Sequence, residues 1–338
     1  MSASRFEIEV GEEFACIVLS GCRIGLQTVP DPAEIGGGFW VSGRPPFTLD
    51  DEWRRQLGLI VSERIEKYSN FVITAKGEGT ASRLSYRAEH LLWGIAAGAG
   101  VPVFDSGDLV MGNLGEAAVF RSGVQIAPGL QRFFPTYGAP DPQLTMDDFR
   151  IAARIADSIE KMAEERDEDL AIQPTPFSAL YFQIWSGIAG FQLGIKQVDP
   201  AERLHQFVRA IESFFPPDKT KGSGQFQSWL SPLLVPHADN SDTLLQLYDL
   251  RSAAEHHRIF SNRKAFTNLP ASANPNEVAL RRTRQAEALA REFYRRFLGQ
   301  NSSNLSPFRD EPSQDAFWSN LPAALTVWGK LFDLQAIT

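Results

Sequence analysis

The chain has 338 residues, a length that accommodates two domains with separate hydrophobic cores. Hydrophobic residues make up 43% of the sequence and charged residues 22%, a composition that indicates a folded globular protein and excludes a disordered or fibrous one. The formal net charge of -8 argues against a protein that coats nucleic acid with a uniformly basic surface. A local basic site remains compatible with this charge, although a solvated helix face also explains the six arginines in residues 281–296.

Cys16 and Cys22 are the only cysteines, too few for a disulfide framework or a cysteine-built zinc site, so we expect two free thiols. The first residues lack the pattern of a secretory signal. No apolar run reaches the about 18 residues that a membrane span needs. We therefore expect a cytoplasmic protein without membrane contact.

The five histidines show no spacing typical of a metal site, so we expect neither a metal nor another cofactor. His90 and His205 lie in helical patterns and are predicted to be partly buried structural residues. His237 falls in a predicted loop. Only His256 and His257 adjoin other residues that can carry chemistry.

Residues 1–143 mix short strand patterns with Gly- and Pro-rich turns and predict an α+β domain. Alternating or short apolar stretches predict its strands, and apolar residues at helical spacing predict its helices. The predicted strands are 5–10, 14–19, 39–42, 72–76 and 117–120, and the predicted helices are 49–68 and 82–97.

Two features of this domain have both a functional and a structural interpretation. The glycines 36–38 precede an aromatic pair, where a phosphate-binding loop would carry Lys and then Ser or Thr, so we predict a turn leading into strand 39–42. Asp105, Asp108 and Glu116 could form a carboxylate pair for acid–base work or for a metal. Loop polarity explains these three residues more simply.

After residue 143 strand alternation stops and long helical periods continue, so residues 144–338 predict an all-α bundle with a C-terminal extension. Its first helix has Thr145 as a cap and acidic residues in its first turn, which complement the positive end of the helix dipole. The predicted helices are 146–166, 177–195, 200–215, 225–234, one that begins at 240–242, 277–298 and 316–334, with a linker at 300–315.

The helix that begins at 240–242 ends in the sequence Leu-Tyr-Asp-Leu-Arg-Ser-Ala-Ala-Glu-His-His. It carries Arg251, the small hydroxyl residue Ser252 and the pair His256 and His257. A nuclease without a metal needs a group that exchanges protons near neutral pH and a permanent positive charge that stabilises the phosphorane. Histidine and arginine supply these, so we predict RNA cleavage with Arg251 and His256 as catalytic residues and the ribose 2′-hydroxyl as nucleophile.

The spacing from Arg251 to His256, with four residues between them, resembles the signature of HEPN domains, all-α bundles that often act as ribonucleases in prokaryotic defence and toxin systems. Residues 203–212, 247–251 and 290–298 resemble the ApeA-like branch of that family, and the resemblance covers roughly residues 145–300. It implies a metal-independent endoribonuclease that leaves a 2′,3′-cyclic phosphate and a 5′-hydroxyl. It also implies that the N-terminal domain senses a phage or cellular trigger or recognises a target.

Several roles within the motif stay open. The family usually has Asn, Asp or His after the arginine, whereas this chain has Ser252 as the supporting residue. A five-residue spacer also fits the family pattern, so His257 is an alternative to His256. Arg258 and Arg263 could hold flanking phosphates, although a helix C-terminus attracts basic residues through its dipole alone.

The motif also has an interpretation without catalysis. Arg251 and Glu255 are spaced i, i+4, so they could form a plain surface ion pair in an inactive HEPN module that dimerises or binds a partner. Residues five apart on an α-helix are separated by about 140° around its axis, so Arg251 and His256 do not point the same way. In the resembling domains two copies pair so that both motifs line one cleft. We therefore predict a homodimer through the helical bundle, with RNA as substrate.

Overall fold

The computed structural model describes most of the chain and divides it into two compact units, Met1–Asp157 and Ser158–Thr338. The described residues are 6, 8–20, 26, 29–99, 106–115, 123–130, 143–172, 180–197, 199–216, 222–256, 263–300, 305, 307–308 and 311–338.

The first unit is built on a six-stranded antiparallel sheet with the strand order β2-β3-β4-β1-β5-β6. Two helices, α1 (Asp51–Glu66) and α2 (Ala81–Ala99), follow the third and fourth strands, and a third helix, α3 (Met146–Ile172), begins in this unit. The strands are β1 (Glu13–Ser20), β2 (Ala33–Gly36), β3 (Phe39–Ser42), β4 (Ser69–Lys76), β5 (Ser106–Asn113) and β6 (Gln125–Leu130).

The central strand β1 is buried on both faces of the sheet. Its alternate residues Ala15 and Ile17 pack in one cluster with α2 and the start of α3, while Phe14 and Cys16 pack in another cluster with α1. Because successive side chains of a strand point to opposite faces, an unbroken apolar run is what a strand covered on both sides requires. The sheet is therefore the middle layer of this unit.

Close helix contact fixes the layer that α2 and α3 form. A Cβ built on Gly94 of α2 would lie 2.2 Å from the carbonyl oxygen of Ala152 on α3, so only glycine fits there. The aromatic rings of Phe71 on β4 and Phe149 on α3 stack at 5.9 Å. The first turns of α3 thus pack directly on the sheet.

The glycines 36–38 form the predicted turn. Gly37 and Gly38 have φ values of 63° and 73° and connect β2 to β3, which is the geometry of a two-residue hairpin whose central residues both need positive φ. A side chain is strained in that region, so the Gly-Gly pair specifies the turn. The strand on its N-terminal side, β2, is one that the sequence pattern did not predict.

The second unit contains helices, with α5 against α4, α7 and α8. Its core is aromatic: the ring of Phe214 lies 5.3–5.6 Å from those of Phe293, Tyr294, Phe297 and Phe308. The helices are α4 (Leu180–Lys196), α5 (Pro200–Glu212), α6 (Ser223–Leu230), α7 (Asn240–Glu255), α8 (Pro275–Phe293, continued as a π-helix over Tyr294–Leu298), α9 (Glu311–Ser319) and α10 (Leu321–Trp328).

The layout of an α+β unit followed by helices is confirmed, and each of the predicted helices except 316–334 coincides with a helix of the structure, apart from shifts at the ends. The predicted strands 14–19, 39–42 and 72–76 lie in β1, β3 and β4. Within the described part of 5–10, the strand prediction was wrong, since only Val10 makes an isolated bridge, to Leu114. The predicted strand 117–120 lies outside the described residues. The segment predicted as one helix, 316–334, is divided at Asn320 between α9 and α10, and the helical structure ends at Trp328. The predicted linker 300–315 was wrong at its end, because α9 already begins at Glu311.

The two units divide between Asp157 and Ser158, inside α3, whereas the sequence pattern placed the boundary before residue 144. The reason lies in packing. Phe149, Ala152 and Ala156 belong to the core cluster of the sheet, so the start of α3 completes the first unit. Helical periodicity marks where strands stop, but it does not show which core a helix covers.

Candidate functional site

Helix α7 carries the predicted motif at its C-terminal end. Its buried residues Leu244, Leu247 and Leu250 anchor the helix in the core of the second unit. Arg251 follows within the last turns, and His256 is the C-cap residue, whose backbone N–H donates to the carbonyl of Ser252 at 3.2 Å. The imidazole of His256 is exposed.

The guanidinium of Arg251 contacts two carboxylates. Its Nη1 donates to Glu255 at 2.6 Å, and its Nη2 lies 3.3 Å from Glu212 at the end of α5. The guanidinium also lies 5.9 Å from the ring centroid of Tyr248. With 20% of its side chain exposed, Arg251 is a positioned cation that still reaches the surface.

The two carboxylates differ in exposure. The side chain of Glu212 is 15% exposed and that of Glu255 is 46% exposed. An exposed carboxylate is readily rehydrated when it leaves an ion pair, whereas a largely buried one loses much more. Glu212 therefore acts as the fixed partner of Arg251, and Glu255 as the partner that an incoming anion can displace.

His205 lies beside this cluster. Its Nδ1 is 3.4 Å from the carbonyl oxygen of Arg251, a contact in which a protonated Nδ1 donates. The sequence predicted a structural histidine and did not connect it with the motif. His205 and Glu212 are seven residues apart on α5 and so share one helix face, which is the signal that could have identified them as a pair facing α7.

The remaining predicted residues have different surroundings. Arg263 donates hydrogen bonds to the backbone carbonyls of the loop 269–273, including Pro270 at 2.8 Å and Ala273 at 2.6 Å, so its guanidinium holds this loop together. Ser252 is half-buried. His257 and Arg258 lie outside the described residues.

A small recess is lined by Glu212 and Tyr248, two residues that contact Arg251. Phe226 and Trp229 also contribute to its walls, with the ring of Trp229 stacked on Phe215 at 4.7 Å. Its volume of about 10 Å³ accommodates at most one water molecule, so the recess has no room for a nucleobase.

Of the three carboxylates Asp105, Asp108 and Glu116 that the sequence analysis considered, the structure describes Asp108. Asp108 lies in β5, is 1% exposed, and accepts a hydrogen bond of 2.8 Å from Arg64 on α1. The prediction of a polar loop was wrong at this position, and the hydrogen bond to Asp108 raises the pKa of the Arg64 guanidinium. Asp105 and Glu116 lie outside the described residues.

The described part of the chain contains no group of three or more His, Cys, Asp or Glu side chains that could hold a metal ion. Nor does any helix in that part combine the length and apolar character that crossing a bilayer requires.

No protein-family model, curated protein sequence or solved structure matched this chain. The candidate functional site is the cluster formed by α5 and α7. That cluster consists of a positioned arginine, one buried and one exposed carboxylate, an exposed histidine, and a second histidine on the neighbouring helix.

Proposed function

We propose that this protein is a metal-independent endoribonuclease of the HEPN type, which acts as a homodimer in a defence or toxin-like system. The observation that carries the proposal is the state of Arg251. Its guanidinium is positioned by Glu212, reaches the surface, and lies on the same helix end as the exposed His256. A fixed cation and a group that transfers protons near neutral pH are the minimum that RNA cleavage by the 2′-hydroxyl requires.

In the proposed reaction the scissile phosphate replaces Glu255 at the guanidinium of Arg251. A neutral His256 removes the proton from the ribose 2′-hydroxyl, and the 2′-oxygen forms a bond to phosphorus. The bond from phosphorus to the 5′-oxygen breaks, and that oxygen takes a proton from a second, protonated histidine. The products are a 2′,3′-cyclic phosphate and a 5′-hydroxyl, so the step consumes no water.

A dimer supplies the second histidine. Because Arg251 and His256 are about 140° apart around the axis of α7, one copy of the motif does not surround a phosphate. Two copies facing each other place one His256 on each side of the scissile bond. Arg251 stabilises the additional negative charge of the phosphorane by hydrogen bonds that are stronger in the transition state than in the bound substrate.

The test uses the full chain, single-stranded RNA and EDTA. We expect cleavage by the wild type and a loss of at least about 100-fold in Arg251→Ala and His256→Ala, a magnitude typical of an essential electrostatic or acid–base group. His237→Ala and Arg281→Ala are matched controls, since both residues are exposed and lie elsewhere. Equal cleavage by all variants would exclude this site.

A nuclease that waits for a trigger is silent in such an assay, so expression in cells provides the second arm. The proposal predicts that expression of the wild type is toxic when the trigger is present and that His256→Ala abolishes the toxicity. End-group analysis of cellular RNA should then find 2′,3′-cyclic phosphates only with the wild type.

One observation favours a second candidate, an inactive HEPN module that dimerises or holds a partner. The i, i+4 ion pair from Arg251 to Glu255 is formed at 2.6 Å, and together with Glu212 it gives Arg251 a structural role. This candidate predicts no RNA cleavage and no toxicity under any trigger. Replacing Arg251 would then change only stability or dimerisation.

A further inference from the structure

A pocket in the first unit lies between the edge strand β2 and one face of α3. Its volume is about 380 Å³, within the range of about 300–1,000 Å³ that is common for small-molecule sites. Residues 34–37 of β2 and its turn form one wall. Arg150, Ala153, Arg154 and Asp157 form the other, at the spacing that places side chains on one helix face.

Two arginines give the pocket an anion-binding side. Arg150 and Arg154 are one helical turn apart, so their Cβ atoms are about 5–6 Å apart and both guanidinium groups can contact one phosphate. Arg150 pairs with Asp147 at 3.1 Å, but these side chains are 52% and 84% exposed. An ion pair this exposed is weak, and a bound phosphate can replace it.

Arg87 of α2 holds two of the lining residues, Gly37 and Asp157, in place. Its Nη2 donates to the carbonyl of Gly37 at 2.7 Å and lies 3.5 Å from Asp157, and its guanidinium packs over the ring of Phe39 at 4.8 Å. A Cβ on Gly37 would lie 3.0 Å from both carboxylate oxygens of Asp157. The absence of a side chain at Gly37 therefore lets the carboxylate of Asp157 lie close to the turn. The glycines do not form a phosphate-binding loop.

The carboxylates restrict the ligand further. Glu34 and Asp157 line the same pocket as the two arginines, so a ligand that is anionic over its whole surface would be repelled at one side. A ligand with an anionic group at one end and N–H donors at the other satisfies both sides. A phosphate joined to an amino-bearing base has this arrangement, since carboxylates accept hydrogen bonds and donate none when ionised.

We propose that this pocket binds a nucleotide with an amino-bearing base: the phosphate contacts Arg150 and Arg154, and the base amino group donates to Glu34 or Asp157. The binding is non-covalent, and it does not depend on RNA cleavage by the second unit. It gives the first unit a small-molecule ligand of its own.

The test is calorimetric titration of the full chain with AMP, GMP, CMP, UMP and inorganic phosphate. We expect at least one amino-bearing nucleotide to bind more tightly than both UMP, whose base lacks an exocyclic amine, and inorganic phosphate. In Arg150→Ala/Arg154→Ala the affinity should fall at least about tenfold, since each charge-assisted contact contributes on that scale. Arg44→Ala/Arg55→Ala, two exposed arginines of the same unit, should bind like the wild type.

Three outcomes would overturn the proposal. The first is that no nucleotide binds, and the second is that inorganic phosphate binds as tightly as any nucleotide. The third is that the Arg150→Ala/Arg154→Ala variant binds like the wild type while circular dichroism shows that it is folded. Equal affinity for UMP would overturn the assignment of the base amino group to Glu34 or Asp157, because uracil has a ring N–H but no exocyclic amine. Arg251→Ala serves as a further control, because nucleotide binding at the catalytic motif would be lost in that variant and retained at this pocket.

Discussion

The Nη1 of Arg251 donates a hydrogen bond of 2.6 Å to the carboxylate of Glu255, one turn further along the same helix. On the other side of the guanidinium, Glu212 lies 3.3 Å away and is far less exposed. The two acidic residues therefore hold the same cation with unequal strength. In the proposed reaction, the less exposed Glu212 positions Arg251 and the more exposed Glu255 competes with the RNA phosphate.

If a phosphate must displace Glu255, removing its charge should help RNA cleavage. We expect Glu255→Gln to raise the second-order rate constant for RNA cleavage several-fold, since a competing charge-assisted hydrogen bond is weakened by about 1 kcal/mol. Glu212→Gln should lower that rate constant, because Arg251 loses its fixed partner. Initial rates in EDTA would measure both. A slower Glu255→Gln enzyme would mean that Glu255 assists the reaction.

The stability role of Arg251 can be separated from the chemical role proposed for it. Arg251→Met deprives the largely buried Glu212 of its guanidinium partner, and we expect the free energy of unfolding to fall by about 2 kcal/mol. Adding Glu212→Gln should recover part of this loss while cleavage stays abolished. Urea denaturation monitored by circular dichroism gives the free energies. Additive effects of the two substitutions would show that the ion pair contributes nothing to stability.

The contact between Arg64 and Asp108 should be a main electrostatic determinant of stability in the first unit. Asp108 is 1% exposed, so Arg64→Met removes the charge that compensates a buried carboxylate. We expect a loss of about 3 kcal/mol in the free energy of unfolding. Arg55→Met, on the exposed side of the same helix, should change it by less than about 0.5 kcal/mol. Equal losses in both variants would contradict the assignment.

Burial makes the Cys16 thiol resistant to ionisation. Desolvation raises its pKa from 9.0 to about 12, against a smaller lowering by the hydrogen bond with Thr74. Between these values the unfolded thiol has lost its proton while the folded thiol keeps it, so folding stability falls as pH rises above 9. We expect the stability difference between wild type and Cys16→Ala to shrink from pH 9 to pH 10.

The same property predicts low reactivity. At pH 8, iodoacetamide should leave Cys16 unmodified in the native protein and label it in urea, because the thiolate is the nucleophile. Both cysteines lie in one tryptic peptide, so the fragment ions between Cys16 and Cys22 in tandem mass spectrometry assign the label. Rapid labelling of native Cys16 would show that β1 opens to solvent.

Local patterns predicted the helices because apolar spacing persists over many residues, as in α5 and α7. They did not predict β5 or β6, whose sequences Ser-Gly-Asp-Leu-Val-Met-Gly-Asn and Gln-Ile-Ala-Pro-Gly-Leu contain turn-forming residues. In β5 the burial of Asp108 depends on Arg64, which is 44 residues away in sequence. A pairing of this kind is a property of the tertiary structure, and no window of neighbouring residues contains it.

The part of the candidate site that lies on one helix was predictable from the sequence, and the part that comes from a second helix was not. Arg251, His256 and the ion pair with Glu255 lie within one helical segment, so a spacing argument could find them. Glu212 and His205 come from a different helix and meet α7 only through packing. The sequence pattern therefore did not identify Glu212 as the partner that positions Arg251.

The close approach of Gly94 and Ala152 has a consequence for the pocket proposed to bind a nucleotide. Ala152 lies two residues from both Arg150 and Arg154 and so faces the opposite side of α3. The missing side chain at Gly94 lets α3 settle against α2. A larger residue there would push α3 away and change the distance from Arg150 and Arg154 to residues 34–37, although Gly94 itself does not line the pocket.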